Sequence, residues 1–262
     1  ALRVLSNDAV YTSELVFTYR AFSSVERVHP VAGVLRGGTL VSVYGTGFVD
    51  ALATRCRFGI AVVPAKLARP GLLECVSPEP AQAGYVSVEV TMNGQDYTAD
   101  GAQFEYQPGV HVHSVEPSKG PATGGTFVNV TGAGFSRRAA LLGYLACRFN
   151  TTVVAAVWQS AVELHCVAPE HAAGVVGVEL TQNEQQFTSD GVQFEYQHVL
   201  AHTLYPSVGP VHGGTLVELR GTNFHGPSAR GLYCQFGGAD AVVATHESDE
   251  MVRCLTPASV EG

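Results

Sequence analysis

The amino-acid sequence predicts an all-β chain made of tandem β-sandwiches, with one disulfide in each unit. Three observations predict it. One phrase occurs three times at a nearly constant spacing, apolar and polar residues alternate within each copy, and two cysteines recur in each copy. Self-similarity at a fixed period indicates an array of modules, and alternation with period two is typical of half-buried strands.

The repeated phrase sets the predicted domain boundaries. It reads GGTLVSVYGTGF from Gly37, GGTFVNVTGAGF from Gly124 and GGTLVELRGTNF from Gly213, so equivalent residues lie 87 and 89 positions apart. A second phrase closes the units at Gln107 and Gln197, and a slightly shorter copy of it occupies the start of the chain. We therefore expect the closing strands of a preceding unit in 1–20, full units in 21–107 and 108–197, and a truncated unit in 198–262, all within a longer array.

Each unit is predicted to be a sandwich of about seven short strands. In the first copy Val41 and Val43 alternate with the polar Ser42, whose column is also polar in the other copies. The valine column should face the core and the polar column should face water. Asn93-Gly94 lies between two alternating runs and predicts a hairpin.

The cysteines give the sharpest chemical signal. They fall two per unit at separations of 19, 19 and 20: Cys56 and Cys75, Cys147 and Cys166, Cys234 and Cys254. An even count at matched spacing predicts one disulfide within each unit, each contributing ~3 kcal/mol through its loop. The alternative is six buried free thiols in a cytosolic protein. Zinc is disfavoured because no histidine recurs beside the sulfurs.

Two sequons predict N-glycans at Asn129 and Asn150. Asn129 belongs to the outward polar column of its strand. Asn150 stands where the other units have Gly59 and Gly237, which predicts a tight turn that asparagine tolerates. Both side chains are therefore predicted to be exposed, and with the cysteines they favour the secretory pathway.

Charge and hydropathy disfavour two kinds of partner. The chain has 15 Lys and Arg against 23 Asp and Glu, a net charge of −8. Binding to nucleic acid draws on clustered basic residues, which are not evident here. No apolar run approaches the ~20 residues of a membrane helix, so no membrane span is predicted in this segment.

No motif predicts catalysis or a cofactor. Gly45-Thr46-Gly47 and Gly132-Ala133-Gly134 resemble fragments of a nucleotide loop, but the helix and the lysine that a phosphate loop requires are missing. They are predicted to be turn glycines at the end of a strand. No catalytic residue is assigned.

No metal site is predicted either. His111 and His113 have no recurring carboxylate or cysteine beside them, so solvated linker histidines are expected. Asp100 and Asp190 each precede a glycine, and turn chemistry accounts for them.

The glycine-rich phrase, the CRFG after it and the second cysteine before a proline resemble the IPT/TIG domain over nearly the whole chain. The resemblance implies an immunoglobulin-like sandwich. This family occurs in plexins, in the hepatocyte growth factor receptor class, in fibrocystin-type arrays, in Rel-type transcription factors and in some starch-acting enzymes. The paired cysteines resemble the extracellular branch, whereas the acidity departs from the Rel-type branch.

Two functional hypotheses follow. The first is a non-catalytic extracellular array in a cell-surface or surface-filament glycoprotein, and the fibrocystin resemblance implies a ciliary surface. It would act as a spacer and adhesion module that binds other proteins of the same array or neighbouring surface proteins. The alternative is an accessory region of a secreted polysaccharide-acting enzyme. The only tryptophan, Trp158, follows the apolar Val157 and is predicted to pack in the core rather than bind sugar. An intracellular scaffold or transcription factor is a distant third.

The middle unit carries the candidate interaction loop. Phe135 and Cys147 are 12 positions apart, against 8 and 10 in the other units. The inserted chain contributes basic and apolar side chains: Arg137, Arg138, Leu141, Leu142, Tyr144 and Leu145. Arginine and tyrosine are enriched at interfaces, and inserted surface loops often carry binding. The alternative is that the loop folds back on its own domain or forms a short helix.

Overall fold

The computed structural model describes residues 3–6, 9–12, 17–224 and 232–259. The all-β prediction is confirmed, because every regular element of these residues is a strand except one short helix. The chain forms two compact units, Ala1–Gln107 and Pro108–Gly262. Within the described ranges, no helix combines the length and apolar character needed to cross a bilayer.

The first unit contains a hairpin and a two-layered sheet. Its strands are β1 (Arg3–Ser6), β2 (Ala9–Thr12), β3 (Ser24–His29), β4 (Ala32–Val34), β5 (Leu40–Thr46), β6 (Arg55–Phe58), β7 (Ala61–Arg69), β8 (Leu72–Val76), β9 (Gly84–Thr91) and β10 (Gln103–Gln107). Strands β1 and β2 pair with each other, and the rest follow the order β3-β5-β8-β7-β6-β9-β10-β4. Strand β7 joins the two layers, because its first half pairs with β6 and its second half with β8.

The core of the first unit lies between these layers. Val41 and Val43 are fully buried, whereas Ser42 between them is half-exposed, as the alternation predicts. They pack in one cluster with Phe58 and Phe104 of the opposite layer. Alternation along β5 therefore decides which side chains the sandwich buries.

The described residues of the second unit form fourteen strands and the helix. Its elements are β11 (His111–Glu116), β12 (Lys119–Pro121), β13 (Phe127–Ala133), α1 (Arg137–Leu141), β14 (Ala146–Phe149), β15 (Thr152–Ala155), β16 (Val157–Ser160), β17 (Glu163–Val167), β18 (Gly174–Thr181), β19 (Gln193–Gln197), β20 (Leu200–Tyr205), β21 (Leu216–Thr222), β22 (Tyr233–Cys234), β23 (Val242–Ser248) and β24 (Met251–Leu255).

Three sheets organise these strands. Two of them face each other in the middle repeat, with the orders β11-β13-β17-β16 and β12-β19-β18-β14-β15, and the last repeat has β20-β21-β24-β23-β22. The strand equivalent to β7 is divided into β15 and β16 at Ala156, so in this repeat the two layers are separate sheets.

Glycines of the repeated phrase serve two purposes. Gly134 has φ +79°, which agrees with the predicted turn, but Gly132 lies inside β13, and here the prediction of a turn glycine is wrong. A Cβ on Gly132 would collide with the carbonyl oxygen of His111 on β11 and with the ring of Phe135. Gly132 is therefore needed for close approach of two strands and a ring rather than for a turn.

Candidate functional site

Disulfides fix the frame of each repeat. The structure joins Cys56 to Cys75, Cys147 to Cys166 and Cys234 to Cys254, with Cα atoms 6.3, 6.4 and 6.3 Å apart. These distances lie within the range that a disulfide spans. In the middle repeat the bond runs from β14 to β17 and so connects the two sheets, with both residues buried.

Asn150 occupies the turn between β14 and β15. Its φ of 56° matches those of Gly59 (61°) and Gly237 (54°), so the predicted left-handed position is found in all three repeats. Its side chain is exposed, and its Nδ2 lies 3.1 Å from Nε2 of His171. His171 Nδ1 is 2.8 Å from the Ala172 carbonyl, so Nδ1 donates there and Nε2 accepts from Asn150.

Asn129 is less accessible than its sequence predicts. It does point away from the core, but it lies half-buried on β13, between β11 and β17. Its Oδ1 is buried and has no hydrogen-bond partner among the described residues. The prediction of an exposed side chain is wrong here, because neighbouring strands cover a residue in the middle of a sheet on both sides.

The inserted segment of the middle repeat is folded onto its own domain at its base. Ser136 caps α1, because its Oγ accepts a hydrogen bond from Ala139 N at 3.2 Å. Gln182 holds the same end of the segment: its Oε1 accepts from Ser136 N at 2.6 Å, and its Nε2 donates to the Gly134 carbonyl at 3.2 Å. Ala139 is buried, so the short helix has a fixed inner face.

The six predicted loop residues divide into two groups. Tyr144 and Leu145 are buried against the domain, which is the outcome expected of a loop that folds back. Leu141 is 78% exposed and Leu142 is 41% exposed, and the two arginines before them are exposed as well. Apolar and cationic side chains thus lie together on the outer side of the segment. We call Arg137, Arg138, Leu141 and Leu142 the α1 surface.

Trp158 supports this segment. Its Nε1 donates to the Phe135 carbonyl at 3.0 Å, and the ring is half-buried. The guanidinium carbon of Arg137 lies 5.9 Å from the ring centroid, within the range of a cation–π contact. The single tryptophan therefore has a structural role beside α1.

Asp190 anchors β11, the first strand of the middle repeat. The sequence analysis did not predict this contact. Its Oδ2 accepts from Val112 N at 2.8 Å, and its Oδ1 lies 3.1 Å from His111 Nδ1. Asp100 accepts from Val25 N in the same way at 2.7 Å in the first unit. Burial raises the pKa of the Asp190 carboxyl, but the hydrogen bonds from Val112 and His111 and the charges of His111 and His113 outweigh it, so its pKa lies below the ordinary value.

A second feature that the sequence analysis missed is a repeated cluster on the outer face of the sheet that contains β14 and β18. Arg148 Nε donates to Glu179 at 2.7 Å, and its guanidinium carbon lies 3.9 Å above the Phe187 ring. Arg57, Glu89 and Tyr97 form the same arrangement in the first unit, where the last distance is 4.0 Å. The arginine and the glutamate of each cluster lie at outward positions of their strands and are directly opposite each other. The sequence alternation indicates the outward positions, but the contact could be predicted only with the register of the two strands.

No metal site is found in the described part of the chain. There, no three His, Cys, Asp or Glu side chains are placed to hold a metal ion. A cavity of about 440 Å³ in the first unit has Phe17 and Tyr19 in its wall. Phe17 and Tyr19 align in the repeat with Phe104 and Tyr106, which pack in the core of their own domain. The repeat therefore accounts for aromatic residues at these positions, and the apolar wall of the cavity is not evidence for a ligand.

Family membership follows from the repeats. The model of the IPT/TIG domain matches residues 23–106, 111–196 and 201–262. The chain belongs to the IPT/TIG domain family. The recurring close approach at Gly132, the left-handed turn at Asn150 and the disulfide between sheets are thus features of its IPT/TIG repeats.

Relatives of this IPT/TIG chain include plexins and fibrocystin-L. It is 30% identical to plexin-B2 of Mus musculus over 121 residues, which is 46% of this chain and 6% of plexin-B2. It is 24% identical to fibrocystin-L of Homo sapiens over 227 residues, which is 86% of this chain and 5% of fibrocystin-L. The chain therefore spans about one twentieth of the length of these two curated relatives.

Among solved structures, the extracellular region of plexin A4 has the same fold. The TM-score is 0.56 at 18% identity, over 92% of this chain and 21% of that one.

Proposed function

We propose that this IPT/TIG segment is a non-catalytic extracellular module of a larger cell-surface or surface-filament glycoprotein, in which it acts as a spacer and binds protein. The plexin and fibrocystin-L relatives and the three disulfides support an extracellular location. The short linkers, three residues between β10 and β11 and two between β19 and β20, support the role of a spacer. A ciliary surface remains a prediction from the fibrocystin resemblance.

The alternative, accessory domains of a secreted polysaccharide-acting enzyme, gains no support from Trp158. Sugar-binding modules present flat exposed aromatic rings. This ring is half-buried, and its N–H is bonded to the Phe135 carbonyl.

The α1 surface carries the proposal. Leu141 and Leu142 leave apolar area in water on a segment whose base is fixed by Ser136 and Gln182. A fixed apolar surface binds without a large cost of ordering. Arg137 and Arg138 beside it complement an acidic surface, and the chain itself has a net charge of −8. The partner proposed is a second copy of this acidic array.

We expect Leu141→Ser/Leu142→Ser to weaken self-association of the chain at least about tenfold without lowering its melting temperature, since removing one or two anchors at an interface costs 1–3 kcal/mol. Sedimentation equilibrium over a range of concentrations measures the first quantity and differential scanning calorimetry the second. Leu52→Ser/Ile60→Ser is the matched control, because it removes two apolar side chains that are 98% and 99% exposed in the first unit.

Tyr144→Ser separates the two groups of loop residues, because Tyr144 is buried and its loss should lower the melting temperature. A parent chain that stays monomeric, or equal association of the control and the Leu141/Leu142 variant, contradicts the proposal.

We also propose N-glycans on both sequons. Asn150 is exposed at a turn, so we expect nearly full occupancy there when the chain is made through a eukaryotic secretory pathway. Asn129 lies in the middle of a sheet and is expected to have lower occupancy. Intact masses of Asn150→Gln and Asn129→Gln, before and after glycosidase treatment, measure the two occupancies separately. Equal masses of the parent before and after treatment rule out both glycans.

A further inference from the structure

An exposed face of the first unit carries an unusual set of cations. The face is the outer side of the layer β3-β5-β8-β7, and its cations are Arg27 on β3 and Lys66 and Arg69 on β7. Register aligns Arg27, Tyr44, Leu72 and Arg69 in one row across the four strands. Lys66 stands in the next row, opposite Glu74. Directly opposed residues share a face, so the three cations lie on one side. We call them the cationic face.

The side chains of the three cations are exposed. Among the described residues, no carboxylate lies within 4.0 Å of any of them, although Glu74 is opposite Lys66 in register and Glu26 precedes Arg27 in the chain. Arg27 is oriented by Tyr44, because its guanidinium carbon lies 3.5 Å from the ring centroid.

Three other carboxylates of this unit are engaged elsewhere. Glu89 bonds Arg57 on the opposite layer, Asp100 bonds the Val25 amide, and Asp96 bonds Asn93 in its loop. An anion that reaches the cationic face therefore meets an excess of positive charge on a chain that is acidic overall.

Equivalent faces of the other repeats lack this property. In the last repeat Arg253 is bonded to Glu218 at 2.9 Å and to Glu247 at 3.3 Å, and Arg220 lies 3.7 Å from Glu218. In the middle repeat the positions of Arg27, Lys66 and Arg69 hold Ser114, Val157 and Ser160. Among the described residues, this face therefore carries unpaired positive charge in the first unit alone.

The shape of the cationic face fits an extended polyanion. Arg27 and Arg69 are separated by three strand spacings, about 14 Å, and the two rows are about 7 Å apart. Tyr44 is covered by Arg27, and Leu72 is half-buried, so the rows have no apolar centre of the kind that protein interfaces bury. The exposed apolar pair Leu40 and Val76 lies one row beyond Glu74, outside the cationic rows.

We propose that the cationic face binds a sulfated polysaccharide laid across the strands, with the sulfates accepting charge-assisted hydrogen bonds from Arg27, Lys66 and Arg69. This goes beyond the proposed protein-binding function and does not depend on it. The residues belong to the first unit, whereas the α1 surface belongs to the second.

Retention of the full chain on immobilised heparin tests the proposal. Arg27→Gln/Lys66→Gln/Arg69→Gln should elute at clearly lower salt than the parent. The slope of log affinity against log salt should fall in magnitude by about 2, as expected for three lost contacts to an anionic chain. Arg20→Gln/Arg36→Gln/Arg220→Gln is the matched control, because it makes the same change in net charge at exposed arginines outside both the cationic face and the α1 surface. It should elute with the parent.

Three results would overturn the proposal: a parent chain that is not retained, equal elution of the two triple variants, or equal competition by poly-glutamate and heparin. The last would assign the face to an acidic protein. If the second result is accompanied by loss of binding of Arg27→Gln/Lys66→Gln/Arg69→Gln to phosphatidylserine vesicles, the face is assigned to a membrane. Circular dichroism melting of both variants checks that the fold is retained.

Discussion

Removing the disulfide of the middle IPT/TIG domain, in Cys147→Ala/Cys166→Ala, should lower the free energy of unfolding of that domain by about 3 kcal/mol. The bond closes a loop with a sequence separation of 19 and joins two separate sheets, so the unfolded chain gains considerable freedom when it is absent. Both residues are buried, and the lost sulfur atoms add a cost in packing. Denaturant titration followed by Trp158 fluorescence measures the change, because Trp158 is the only tryptophan and lies in this domain.

Cys56→Ala/Cys75→Ala is the control for this experiment. It makes the same change in the first compact unit, which contains no tryptophan. The midpoint reported by Trp158 should stay where it is in the parent. A similar shift in both variants would show that the two units unfold as one cooperative body.

The second large effect is expected for Gly132→Ala, which should destabilise the middle domain by about 3 kcal/mol. The added Cβ would meet the His111 carbonyl oxygen, which is backbone held in the β11–β13 ladder, and the Phe135 ring. The first contact is with backbone and the second with a buried ring, so relief requires separation of two strands. The same Trp158 titration measures the loss.

Gly177→Ala is its matched partner. Gly177 lies in β18 of the same domain, and a Cβ there has no atom within 4 Å. Alanine reduces the freedom of the unfolded chain, so this variant should be as stable as the parent or slightly more so. Equal destabilisation by the two alanines would refute the close-approach argument for Gly132.

Local patterns predicted the fold well because they report on single strands and turns. Alternation identified the buried Val41 and Val43, and the replacement of glycine by Asn150 located a left-handed turn. Cysteine spacing indicated the disulfides, because the repeats supplied independent copies of the same signal.

Features of the candidate sites that depend on distant residues were not predictable in the same way. Asp190 precedes a glycine and fits a turn, yet its partner Val112 lies 78 positions earlier. Alternation placed Asn129 outward but does not distinguish a central strand from an edge strand. Likewise, composition alone did not separate the buried Tyr144 from the exposed Leu141, because that depends on the capping of α1.

The parallel pairing of β12 with β19 has a mechanical consequence. Chain enters the middle domain ahead of β12 and leaves it after β19, so tension along an array pulls these neighbouring parallel strands in opposite directions. Their hydrogen bonds, from Glu195 N to Ser118 O at 2.9 Å and from Ala122 N to Gln197 O at 2.8 Å, then bear the force together in shear. Bonds that share force in shear resist it better than bonds that open one after another. The β4–β10 pair repeats the arrangement in the first unit, which suits a chain held under tension.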